Sequence, residues 1–171
     1  MTAAEALATV LDDLAAVVDS LTDAQYADSA IPGVSGSVGG HVRHCLDHVR
    51  ALERAVETGV VDYDAREREV RVEVDRTLAW SLLVSARRRV SVIPAARLAR
   101  SVVVRTRLHS DMAPVEVLSS FEREVSFVIA HTIHHCATIA VLAGVTPDQM
   151  PERFGIAPST PTVFVRAACA R

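Results

Sequence analysis

Six of the seven histidines fall in two short windows, His41-Val-Arg-His44-Cys-Leu-Asp-His48 and His131-Thr-Ile-His134-His135. Imidazole is the commonest protein ligand for transition metals. On a helix of about 100° per residue, His131 and His135 lie within roughly 40° of each other and project from one face. His134 turns about 60° to the other side of His131 and shares that face less well. In the first window His41, His44 and His48 share a face by the same spacing. Two such faces meeting between helices would supply three or four nitrogen ligands. The spacing also excludes one class: a His-Glu-x-x-His metalloprotease needs a base beside its first ligand. Here the residue after His131 is Thr132, which cannot be that base.

Three neutral imidazoles leave a divalent ion its full charge and at least one open position, the arrangement of a catalytic rather than a closed structural site. Such an ion can lower the pKa of a water, giving hydrolysis, or hold a thiol as thiolate, giving S-transfer to an electrophilic carbon. Imidazole suits zinc, nickel and iron, so ligand type does not choose among them.

Both windows sit in stretches of helical periodicity. Thr2 with Glu5 has capping-box spacing, and Leu7, Val10, Leu11, Leu14, Val17, Val18 and Leu21 form the apolar stripe of a first helix. Ser37 can cap a second helix running to about Thr58, with Gly59 as its stop. Residues Val60 to Glu69 read as a charged connection. A third helix spans Glu73 to Val92 and ends before Pro94. The Val- and Arg-rich segment Ser101 to Leu108 reads as a short strand or an extended connection. A fourth helix opens at Ser110 or Asp111, with Pro114 near its start, and runs to Leu142 before Gly144. The Pro-rich tail is irregular, with one turn near Met150 to Phe154. The expected fold is therefore all-α: a single domain over 1–171, built as a four-helix bundle with a long middle connection and an irregular C-terminal tail.

With 171 residues, half of them hydrophobic, the chain can bury a proper core without disulfides. A net charge of −3 gives no reason to expect nucleic acid or an anionic membrane as partner. All 18 basic residues are Arg. Cys45, Cys136 and Cys169 are odd in number without repeated spacing, which implies no disulfide framework. The N-terminus lacks the basic start of a signal peptide, and no apolar run is read as membrane-spanning. The expectation is a soluble, cytoplasmic protein acting on a small molecule.

The residues resemble the DinB-like superfamily, also called the bacillithiol-transferase or YfiT-like metalloproteins. The stretch Ser37-Val38-Gly39-Gly40-His41-Val42-Arg43-His44-Cys45-Leu46-Asp47 is similar to that family's second-helix start, with His44 at the ligand position. His131 and His135 match its HxxxH. The resemblance spans nearly the whole chain and implies a metal site of His44, His131 and His135. Asp62-Tyr63-Asp64-Ala65-Arg66 and Phe154-Gly155-Ile156-Ala157-Pro158-Ser159-Thr160 are similar to one subgroup of it. Assigned activities in the family include S-transfer with a low-molecular-weight thiol (bacillithiol or mycothiol), a mycothiol-dependent isomerase, and the iron-binding part of sulfoxide synthases. The resemblance thus implies a thiol S-transferase. A metal-dependent hydrolase and a non-catalytic metal-binding or stress-related protein are the alternatives.

Several neighbours could tune such a site. Glu124, two turns before His131, could orient a histidine, join as a fourth ligand or act as a base; pairing with Arg123 or Arg89 at the surface is the plainer role. His41 and His48 could shuttle protons or serve as alternative ligands. Asp47 could orient a ligand or be a solvated helix charge. Cys45 and Cys136 are expected in the core, because adjacency to a ligand turns a side chain by about 100°. Arg66 and Arg68 could hold a cofactor or substrate carboxylate, with Asp62 and Asp64 as their alternative surface partners. The segment Trp80-Ser81-Leu82-Leu83-Val84 puts large side chains on more than one side of the third helix. Together with the dimers common in the resembled family, it points to a two-fold homodimer. Folding of the middle connection, Arg97 to Asp111, over that face is the alternative.

Overall fold

The computed structural model describes residues 1–28, 31, 33–65, 67 and 69–161. Four long helices run through it: α1 (Ala3–Ser20), α3 (Val38–Thr58), α5 (Arg76–Ser91) and α7 (Phe121–Ala143). Three short ones, α2 (Asp23–Ala27), α4 (Arg71–Val74) and α6 (Ala95–Leu98), lie between them. α1 packs against α5 and α7, and α3 against the same two, so the long helices close into a four-sided bundle. One cluster of buried residues runs from Ala4 to Phe154. The caps are those the sequence announces. Thr2 and Glu5 close a reciprocal capping box, Ser37 accepts from the Gly40 amide, and Gly59 and Gly144 end α3 and α7 in the left-handed region.

The all-α expectation is corrected by a three-stranded mixed sheet. β1 (Val60–Asp62) pairs in parallel with β2 (Ser101–Thr106), which pairs antiparallel with β3 (Val115–Ser120). The protein is a mixed α/β structure in which Val61, Val102 and Val104 join the core. Residues read as the first turns of the fourth helix are β3, and α7 begins only at Phe121, where Ser120 caps the Arg123 amide. The reason is partner availability. Val115 to Ser120 pairs residue by residue with the β-branched run of β2, and that pairing has no local signature. The charged connection after α3 likewise opens with a strand.

The expected third helix is also broken. Asp75 is extended (φ −103°, ψ 93°), which ends α4, and its carboxylate accepts from the Leu78 amide to start α5. Gly39 lets this corner seat on α3, since a Cβ there would run into the Glu73 carbonyl oxygen. Tyr26 closes the joint by donating its buried hydroxyl to the Val72 carbonyl at 2.6 Å.

α7 is long and apolar enough to cross a membrane by length and composition alone, contrary to the reading of the apolar runs above. It packs against α1 and α3 and carries the second histidine window. On α5, Leu83 is fully buried, Leu82 and Val84 partly so, and Trp80 remains 39% exposed. The middle connection, Arg97 to Asp111, contains the end of α6, which packs against α7, and β2 of the sheet. The tail turns over α7, where Gly155 (φ 70°) lies against the Ala137 backbone.

Candidate metal centre

Both histidine windows meet where α3 and α7 pack together. The Nε2 of His131 is 2.8 Å from Nε2 of His44 and 3.2 Å from Nε2 of His135. His48 comes in beside them: its ligand atom and those of His44 and His131 all lie within 4.8 Å of one another. Among the described residues, His44, His48 and His131 form the group that could hold a divalent ion. Tetrahedral ligation with bonds of about 2.05 Å puts ligand nitrogens about 3.3 Å apart, so the 2.8 and 3.2 Å spacings at His131 and the donor type suit a transition metal.

Each flanking histidine has its other ring nitrogen occupied. His48 Nδ1 meets the His44 carbonyl at 3.0 Å. His135 Nδ1 lies 2.9 Å from His41 Nδ1, and His41 Nε2 meets the Ser35 carbonyl at 3.3 Å. The chain is satisfied when His41 donates to Ser35 and accepts from His135, which leaves the His135 Nε2 lone pair facing His131. Burial, followed by the neighbouring imidazoles, lowers His135 to about 4, so it is a neutral donor at pH 7. Desolvation lowers His41 as well, against its hydrogen bond to Ser35.

The site opens on a cleft of about 330 Å3, lined by residues such as Gly36, Ser37, His41, Arg43 and Glu73, which reaches His44 and His135. Arg43 is held there by Glu73 at 2.7 Å and by Asp47 at 3.3 Å. Asp47 is buried between Arg43 and Arg50 rather than solvated. On the opposite side aromatic rings cover the histidines. Tyr63 stacks on His48 (centroids 5.1 Å apart, planes at 22°) and Phe127 on His131 (5.6 Å, 20°).

Of the other residues singled out by sequence, Glu124 is buried, 1% exposed, rather than a surface glutamate, and it pairs with Arg123, whose own side chain reaches solvent; Arg89 pairs with Glu53 instead. Its two oxygens accept from Tyr63, Ser119 and Arg123. His134 is exposed. Cys45 and Cys136 are buried in the core, where desolvation raises both thiols, Cys45 to about 12. Arg66 and Arg68 lie outside the described residues. Their neighbours Asp62 and Asp64 accept backbone amides of the connection, from Asp64, Ala65 and Arg107. Sequence reasoning did not find Tyr63 or Ser119 as neighbours of Glu124, because Tyr63 comes from 61 residues away and Ser119 lies in a strand that was read as helix. Asp47 carried a readable signal in its spacing of four from Arg43 and three to Arg50.

No family model matches this chain, and no solved structure matches it. It is similar to FK506-binding protein 5 of Rhizopus delemar, being 30% identical over 102 residues. Those residues are 59% of this chain and 26% of that protein. The chain thus spans about a quarter of that relative's length, a coverage that does not place it in the relative's family.

Proposed function

We propose that this chain is a metal-dependent enzyme of the DinB-like kind, with His44, His131 and His135 holding a divalent zinc, nickel or iron ion. Its reaction on this reading is S-transfer from a low-molecular-weight thiol to a small electrophile, with hydrolysis as the alternative outcome. The observation that carries the reading is a run of Nε2 atoms, His44–His131–His135, at 2.8 and 3.2 Å beside an open cleft. Ring orientation favours His135 over His48 as the third ligand. The planes of His44, His131 and His135 cross at 63–82°, so in-plane lone pairs can converge. His48 crosses His44 at 72°, but it lies at only 33° to His131 and is stacked by Tyr63. A bound ion would supply a water or thiol of lowered pKa. The chain's own residues would hold the ligand tautomers, exclude solvent from the aromatic side and admit the substrate past His41 and Arg43. A cleft of this volume suits a small molecule.

Metal analysis of untagged protein, followed by a thiol-conjugation screen, tests the reading. About one ion per chain and conjugate formation are expected; protein that takes up none of zinc, nickel or iron overturns it. His41→Ala should weaken metal binding by about 10-fold in a chelator competition, because His135 loses the partner that sets its tautomer. An unchanged affinity would remove His41 from that role.

The outward Trp80 on α5 supports a two-fold homodimer as the proposed assembly. Light scattering at micromolar concentration should give a dimer mass; a monomer mass removes the dimer.

A further inference from the structure

We propose that Glu124 is a positioning residue for the histidine cluster, acting through Tyr63 and Arg123 rather than on the substrate. This rests on the metal reading above and deepens it. Glu124 is an almost wholly buried carboxylate in the first turn of α7, and three elements deliver donors to it. Tyr63, in the turn after β1, donates its hydroxyl to Oε2 at 2.9 Å. Ser119, in β3, donates to Oε1 at 2.7 Å, and Arg123 donates to the same oxygen at 2.9 Å.

Two of those donors end on the aromatic wall. The Tyr63 ring lies flat on His48, and the Arg123 guanidinium sits 5.6 Å over the face of Phe127, which stacks on His131. Tyr63 and Phe127 also touch each other, with centroids 5.2 Å apart. One carboxylate therefore fixes both rings that back the histidines on the side away from the cleft. Stacking alone lets a ring slide, whereas a hydrogen bond from the far end of Tyr63 fixes where its face lies. Burial, reinforced by the charge of Glu124, raises the Tyr63 phenol, which therefore stays a donor. With three donors on its two oxygens, Glu124 is committed to holding rather than to proton abstraction.

The test uses the full chain loaded with cobalt(II), whose visible spectrum reports ligand geometry, together with cobalt affinity by chelator competition. Tyr63→Phe keeps the ring and removes only the bond to Glu124; Glu124→Gln keeps the shape and removes the charge. Each variant should shift the spectrum and weaken cobalt binding by about 10-fold. The double variant should be no worse than Glu124→Gln, because the Tyr63 link is already part of what the change at Glu124 disturbs. Wild-type spectra and affinities in both variants would overturn the proposal, as would additive effects. So would a Glu124→Gln protein with a native spectrum and no turnover, which would make the carboxylate a base. Should Glu124→Gln fail to fold, Tyr63→Phe decides alone. A wild-type protein that binds no cobalt would overturn the metal reading itself, a result distinct from each of these.

Discussion

His131→Ala protein is expected to lose its metal, with affinity down by more than the ~10–100-fold typical of removing a partner outside the ligand set. His131, like His44, belongs to both possible triads, lying 2.8 Å from His44 and 3.2 Å from His135 through Nε2 and grouping with His44 and His48. His44→Ala should behave the same way. The pair His48→Ala and His135→Ala then identifies the third ligand, since only the ligand's removal should match the loss in His131→Ala. His134→Ala should leave metal content unchanged, because that ring is exposed. Cys136→Ala should cost stability without metal, because the thiol is buried in the core. Equilibrium dialysis with metal analysis reads all six variants, and stoichiometric metal in His131→Ala would refute the site.

The same cluster sets a pH dependence in the metal-free protein. His135 titrates near 4 when folded, against 6.5 for an unperturbed histidine. The unfolded chain therefore binds the proton first as pH falls. The stability associated with a neutral His135 is complete above about 6.5 and is lost as pH drops towards 4. Urea melts of the metal-free protein across that window should show the midpoint falling on acidification. Bound metal should resist the fall until protons displace it from the imidazoles.

Gly39→Ala should lower the melting temperature by about 6–12 °C. A Cβ at this position meets the Glu73 carbonyl oxygen and lies 2.7 Å from the Tyr26 ring edge. Neither contact can be relieved by a flexible side-chain end, so α4 must shift from the start of α3. Overpacking of this sort costs about 3 kcal/mol at the upper end of its usual range, and each kcal/mol is about 2–4 °C for a chain of this size. The shift would also pull Glu73 from Arg43, now 2.7 Å apart, and so disturb the cleft. Gly40→Ala is the control. Its Cβ would meet only the Ser37 hydroxyl, at 3.5 Å, and removing a helical glycine should be neutral or stabilise by about 0.5–1 kcal/mol. Equal melting temperatures for the two variants, read by circular dichroism, would remove the packing argument.

The features legible in the residues alone were local. The spacing of four between His131 and His135 put both on one face of a helix, and the same arithmetic aligned His41, His44 and His48. Thr2, Ser37, Gly59 and Gly144 marked helix ends that the fold uses. Each of these rests on backbone geometry within one or two turns, which neighbouring residues state directly. The sheet was not of that kind. Val60 to Asp62 finds its partner about forty residues on in β2, and Val115 to Ser120 looked helical until β2 was beside it. Nor was the wall behind the histidines legible, because Tyr63 and Glu124 are 61 residues apart and their bond exists only once β1 and α7 are packed. The choice among His41, His44 and His48 fell in the same way: one face carries all three, and the crossing of α3 with α7 decides which rings face His131 and which face Ser35 or Tyr63. Periodicity fixes direction around a helix axis, but depth along it and the rotation of one helix against another come from side chains packed across the whole core.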